Sequence, residues 1–200
     1  MSEKRMVGDY EVIHSIHFGG KEFVMGEDMG NKDGLYYLAA DCERNEIFER
    51  YDRCVAGDDF TEIMEIFSQR LSEEVQNLKA EHDKITAPEA MSIIKSGDCT
   101  LLSHDDNLKD RIIVIKPEKL RPEHRIAINQ LYIATDGNGA YPNARGTAVF
   151  CKNIYDGSST RYERYDIMGT MEPDKLPEWA KSRYDDIIDK KNRSKNEKEH

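Results

Sequence analysis

Residues 10–25 read YEVIHSIHFGGKEFVM. Tyr10, Val12, His14, Ile16 and Phe18 alternate with Glu11, Ile13, Ser15 and His17, the period of two that belongs to a strand. Gly19-Gly20 supplies the positive φ angles of a two-residue hairpin turn, and residues 22–25 return as a second strand. An antiparallel sheet therefore opens the chain. Outward from this hairpin, residues 30–34 (GNKDG) form a loop, 35–40 a third strand, and 47–51 a fourth after a turn near Arg44-Asn45. Asp58-Asp59 then caps a long helix, along which Phe60, Ile63, Met64, Phe67, Leu71, Val75 and Leu78 make one apolar stripe. A helix of this kind lies across one face of the sheet, giving a compact ββββα unit.

Thr86-Ala87-Pro88-Glu89 has the form of a capping box with proline in the first turn, and it predicts a short second helix ended by Gly97. The module boundary falls near residue 85. Beyond it the apolar run 112–115, ended by Pro117, reads as a strand buried on both faces. Strands over 131–134, 147–151 and 162–168 follow, with Tyr155-Asp156-Gly157-Ser158 as a hairpin loop. Leu176, Trp179, Tyr184, Ile187 and Ile188 mark a C-terminal helix with its tryptophan turned inward. The expected fold class is α+β: an N-terminal antiparallel sheet with one long helix (1–85), then a β-rich module with a C-terminal helix (86–190). Residues 191–200 carry no apolar side chain and are expected to be disordered.

The formal charge of −10 is confined to one half of the chain. Residues 1–85 hold 20 of the 39 acids and 10 of the 29 bases, and the remainder is neutral. The first module should repel phosphate, whereas the second can carry a local basic face. No apolar run approaches the ~20 residues that span a bilayer. The opening MSEKRMVGDYEV lacks the apolar stretch of a secretory signal. The reading is a cytoplasmic protein without a membrane partner. Cys42, Cys54, Cys99 and Cys151 are widely spaced and form no C-x-x-C pair, which makes them small apolar fillers or partly exposed thiols.

Catalytic patterns are faint. His14 and His17 form H-x-x-H, but odd spacing on a strand sends the two rings to opposite faces. His82-Asp83 and His104-Asp105 have the letters of metal-dependent phosphohydrolases without the helical bundle, and Asp189-Lys190-Lys191 lies in the charged tail rather than on a strand. No catalytic residue, metal-ligand set or cofactor is expected.

Binding features stand out more. The segment 136–146 (DGNGAYPNARG) joins two strands with more residues than a hairpin needs. Either it merely reverses the chain, or Asp136, Asn138, Tyr141 and Arg145 dock a partner. Arg161 and Arg164, with Lys152 and the basic residues 109–125, could add a basic face; the bland alternative is a solvated mixed-charge surface. On the acidic module Glu43, Glu46, Glu49 and Glu62 are the candidate contacts for a basic partner. Arg44, Arg50 and Arg53, interspersed among them, would pair with neighbouring carboxylates and blunt the field.

Pro142-Asn143-Ala144, Gly146, Ala148-Val149-Phe150, Asp156-Gly157, Arg161, Arg164, Asp166 and Gly169 reproduce a P-N-A-x-G-x-A-V-F segment, a D-G turn and an R-x-x-R-type strand. This stretch resembles a module of small accessory proteins from conjugative elements and phages of gut Firmicutes. Asp136-Gly137-Asn138-Gly139 departs from the ATGGFG-type turn that precedes it there. The resemblance implies a mobile-element setting and no catalytic residues. It implies an inhibitor of a host defence nuclease, a Cas9-type anti-CRISPR or an anti-restriction protein, with the Cas9-type effector as the leading partner and DNA contact available to the second module. The alternative is a nucleic-acid-binding accessory protein that acts in transfer or replication of the element, stacking bases on Tyr132, Tyr141, Tyr155, Tyr162 and Tyr165.

Overall fold

The computed structural model describes residues 4–44, 48–143 and 145–196. The chain divides into two compact units, Met1–Lys84 and Ile85–His200, each built on its own antiparallel sheet, so the fold is α+β.

In the first unit, strands β1 (Met6–Val7), β2 (Tyr10–Phe18), β3 (Lys21–Glu27), β4 (Tyr37–Arg44) and β5 (Glu49–Gly57) form a meander in sequence order. The fourth of the strands expected from sequence starts at Glu49 rather than Ile47, which lies outside the described residues, and runs on to Gly57. The sequence pattern shortens it because Arg50, Asp52 and Arg53 interrupt the apolar alternation. Helix α1 (Phe60–His82) is capped by Asp59, whose Oδ1 accepts from Thr61 N at 2.6 Å and Glu62 N at 3.3 Å. It packs Ile63 and Phe67 on Phe23, Met25 and Ala39. Arg70, also on its buried face, meets Asp41 at 3.3 Å and donates to Arg53 O at 2.6 Å. Arg53 has φ 51° at a bulge where β4 and β5 change register, and its Nε donates to Asp41 at 2.7 Å. One buried carboxylate thus draws two guanidinium groups and ties helix to sheet. His14 stands opposite Met25 and His17 opposite Glu22, on alternate faces.

The other face of this sheet holds Val7, Val24, Leu38, Ala40 and Cys42, all buried. Five flat strands would put β1 about 19 Å from β5. Yet Arg5, just before β1, grips Glu22 of β3 at 2.6 and 2.9 Å and, on β5, Glu49 at 2.6 Å and the Tyr51 hydroxyl at 3.0 Å. The sheet is therefore curled, with its first and last strands drawn together over the small residues Val24 and Ala40. Glu22 is held below its usual carboxylate range by the Arg5 guanidinium, and Glu49 by the hydroxyl of Tyr51 and by Arg5. Burial and the Glu49 carboxylate push the Tyr51 phenol up to about 12.

The second unit has a six-stranded sheet in the order β10-β9-β8-β7-β11-β6. The strands are β6 (Thr100–Leu101), β7 (Ile112–Ile115), β8 (Leu131–Asp136), β9 (Ala148–Asn153), β10 (Ser159–Glu163) and β11 (Ile167–Met171). One face, with Ile112, Val114, Leu131 and Ile133, is covered by Leu176 and by helix α2 (Glu178–Asn196) through Trp179 and Ala180. The other face, with Ile113, Ile115, Tyr132, Ala134, Val149 and Cys151, is covered by loop residues Leu102, Leu108, Leu120 and Ala140. The run 112–115 is buried throughout, as a strand with two covered faces must be.

Three expectations need correction. The helix expected over 86–97 is a 3-10 turn, Pro88–Met91, then irregular chain and a second 3-10 turn, Ser96–Asp98, and Thr86 does not cap the first. The backbone of this segment is paired elsewhere: Ile94 N donates to the Gln130 side chain at 2.8 Å, and Ser92 O accepts from Ala127 N at 2.7 Å. Gln130 is fully buried and also donates to Ile94 O and Ile115 O. The strand expected over 162–168 is broken by a 3-10 turn, Arg164–Asp166, whose Asp166 carboxylate accepts from Glu163 N at 3.1 Å. Finally, α2 continues through Asn196, six residues into the segment expected to be disordered. Lys, Arg and Asn residues extend a helix already nucleated and packed at its N-terminal end.

Replacing Arg5 with Ala should cost about 2–4 kcal/mol, because two half-buried carboxylates lose their cation. Glu22 and Glu49 have folded pKa values below their unfolded ones. Their contribution is therefore complete above about pH 4.3 and is lost as the pH falls through the depressed folded values. Urea denaturation at pH 7 and at pH 3 checks both statements: the Arg5→Ala variant should differ strongly from wild type at the higher pH and little at the lower.

Candidate protein-binding site

The loop-covered face of the second unit brings most of the sequence-nominated residues into one neighbourhood. Gly137 (φ 106°) and Gly139 lie so close to β9 and its entry that a Cβ on either would collide with a carbonyl oxygen, that of Ala148 or of Thr147. A Cβ at Gly146 would sit 2.8 Å from the Asn138 Cβ. The 136–146 loop, Ala144 lying outside the described residues, is therefore packed down on the strand it precedes. Its Ala140 is fully buried against the sheet, and Ala140 O accepts from Leu108 N at 2.7 Å.

Arg164 holds this arrangement in place. Its Nη1 donates to Gly139 O at 2.7 Å, and its Nη2 to Ser103 O, His104 O and Asp106 O at 2.9, 3.1 and 2.8 Å. One planar guanidinium thereby joins the 103–106 loop to the 138–140 turn. The sequence nominated Arg164 as a partner contact; its polar contacts are instead internal, and they position the surface around it. Arg161 stands on β10 and meets Glu163 at 2.5 Å, whose other oxygen accepts from Thr147 at 2.5 Å. Tyr141 is exposed at the loop's outer side, where its hydroxyl accepts from Lys109 at 2.9 Å and donates to Asp136 at 3.3 Å. Asp136 is held below its usual range by the Gly137 N–H and by Lys109. Asn138 and Arg145 are exposed.

Beside Arg164 opens a recess of about 490 Å³, a feature that no sequence pattern announced. Its apolar side comprises Leu101, Leu102, Ile167 and Met168, with Tyr165 on the rim. Leu101 and Tyr165 are 61% and 59% exposed, unusually wet for residues of their size. The recess falls within the range of ligand and peptide pockets. Its signal in the sequence is slight, because Leu101-Leu102 reads as ordinary core and Tyr165 as part of a strand.

The acidic candidates of the first unit do not act alike. Glu43 is exposed on β4 opposite Arg50, and Glu62 is exposed in the first turn of α1. Glu49 is held by Arg5 and Tyr51, so its charge is used inside the fold. Glu46 lies outside the described residues. Asp52 meets Arg50 at 2.9 Å, and Asp59 caps the helix. Neighbouring cations thus compensate part of the acidic surplus.

No protein-family model, curated protein or solved structure matches the chain. Among the described residues, no helix is long and apolar enough to cross a membrane, and no group of three His, Cys, Asp or Glu residues is placed to hold a metal ion.

Replacing Arg164 with Ala should free the loops while leaving the α2 face intact. Hydrogen exchange at the Leu108 amide should speed up about tenfold or more, with the amides of Ile154 and Ala180 unchanged. Gly139→Ala should give the same local pattern, by collision with Thr147 rather than by a lost donor.

Proposed function

We propose that the protein is a mobile-element accessory protein that acts by binding rather than by turnover, and that its target is a host defence nuclease, with a Cas9-type effector first and a restriction endonuclease second. The observation that carries the binding part of this reading is the recess between Leu101 and Tyr165, where large apolar side chains face water above a floor fixed by Arg164. Exposed apolar surface at a fixed concavity is the usual form of a protein contact. The nuclease part draws on the resemblance of residues 131–169 to mobile-element modules and on the acidic first unit, which suits a positively charged DNA channel by electrostatic complementarity.

A pull-down joined to a DNA-cleavage assay, against Cas9 and a set of restriction endonucleases, tests this. Binding with loss of cleavage is expected. Absence of both from every nuclease tried would sink the proposal. Within it, Glu43→Lys with Glu62→Lys should reduce the association rate and its dependence on salt, since exposed charges act chiefly on encounter. Glu49 must be left alone in that experiment because it holds the fold.

A second reading is favoured by one specific feature. Tyr141, Tyr155 and Tyr165 each carry a cation over the ring, from Lys109 at 5.5 Å, Arg183 at 4.5 Å and Lys119 at 5.4 Å. An aromatic ring beside a cation can serve a base and its phosphate. Tyr132 and Tyr162 do not contribute, because their rings pack against each other at 5.3 Å with Tyr132 buried. On this reading the second unit binds single-stranded nucleic acid, and a gel shift at low salt should show retardation that fades steeply as salt rises.

A further inference from the structure

The recess has a chemistry of its own, and any occupant assigned to it rests on the proposal that the protein acts by binding. Among the described residues that line it, none is acidic, whereas His104, Lys116 and Arg164 all are basic. Lys116 donates to the carbonyl of Tyr165 at 2.6 Å, and Arg164 donates to carbonyls of three loop residues and of Gly139. Carbonyl oxygens orient these cations without cancelling their charge. Of the carboxylates nearby, Asp166 pairs with Lys119 at 3.2 Å and Glu163 with Arg161, while Asp106 accepts from Ser103 N at 2.7 Å and Asp105 lies exposed beside His104 at 3.5 Å; none of the four lines the recess. An apolar recess lined by basic and by no acidic side chains favours an occupant that is apolar and anionic at once.

The sheet supplies a second constraint. Strand β6 is the last in its order, paired through Thr100 and Leu101 with Thr170 and Gly169 of β11 on one side only among the described strands. No described strand pairs with its outer edge, Thr100 and Leu101 are both exposed, and Leu101 lines the recess. Gly169 belongs to this geometry, since a Cβ there would collide with Thr100 O. An open edge beside a side-chain pocket is the arrangement by which extended peptides are bound: backbone hydrogen bonds give affinity, and alternate side chains give selectivity.

We propose that the recess takes an extended segment of a partner protein, added as a strand to the open edge of β6, in which a bulky apolar residue and an Asp or Glu stand two positions apart. That spacing puts both side chains on one face of a strand. The apolar group would enter beside Leu101, Ile167 and Met168, and the carboxylate would face Lys116.

The test uses the full chain and three blocked octapeptides, acetylated and amidated, observed through the backbone amide resonances of the protein. The first holds a Thr-Phe-Thr-Glu-Thr core, the second has Lys in place of Glu, and the third has Phe and Glu adjacent. The first should shift Leu101, Thr147 and Ile167 and bind at least about tenfold more tightly than the others, a difference expected for one charge pair and one filled pocket. Lys116→Gln and Leu101→Ser should each weaken it several-fold; both side chains are at the surface, and an unchanged thermal transition would show that the fold survives. Equal binding of the lysine or the adjacent-residue peptide, shifts confined to other parts of the chain, or no binding at millimolar peptide would overturn the proposal. The experiment contains no nuclease, so it separates the two conclusions. Peptide binding without nuclease inhibition removes the nuclease and keeps the recess. Nuclease inhibition that survives the Lys116→Gln, Leu101→Ser double variant overturns the assignment of the recess and keeps the nuclease.

Discussion

The guanidinium of Arg164 is the contact on which the second unit's surface depends. Its sheet is covered by a helix on one face but only by loops on the other, and loops cover a core well only if their carbonyls find donors. Arg164 supplies four such carbonyls with N–H groups from a single rigid plane. That holds the 103–106 and 138–140 segments together, with Leu108 and Ala140 buried on the sheet. Gly137 and Gly139 complete the same device by letting the turn lie directly on β9. The recess at Leu101 and Tyr165 is a by-product of this construction, a space at the margin of the loop cover where the packing stops.

The first unit solves the equivalent problem with a different arginine. Its sheet carries a helix on one face only, and Arg5 draws β1, β3 and β5 together so that the uncovered face folds over itself. Two carboxylates and a phenol around one guanidinium, each less than a third exposed where their ion pairs are concerned, make this more than a surface ion pair. The arrangement also changes how the acidic balance is read. Glu22, Glu49, Asp41 and Asp59 stabilise the fold, which leaves fewer carboxylates to face a partner than the net charge of −10 implies.

Charge in the second unit is distributed by the same logic. Arg161, Lys119 and Arg111 each have a carboxylate partner, which offsets their charge locally. Lys116 and Arg164 differ because their acceptors are neutral carbonyls. That difference, invisible in a count of charges, gives the recess its sign.

What the sequence by itself determined is the local periodicity and its immediate consequences. The hairpin at Gly19-Gly20, the Asp59 cap, the apolar stripe at Ile63 and Phe67, and the fully buried 112–115 run follow from neighbours within one or two turns of chain, where steric and capping forces act. The class of fold and the placing of the helices are legible for the same reason. Arg70 inside the buried stripe, the irregular path after Met91 and the break at Arg164–Asp166 were decided by partners far away in sequence: Asp41, Gln130 and the carbonyls of 103–106. Of the candidate site, the strictness of the glycines in 137–146 was visible as composition, but its cause, contact with the backbone of Thr147 and Ala148, was not. Arg164 looked like a surface contact because a donor-rich side chain carries no mark of its acceptors, and only the folded chain brings four carbonyls to it.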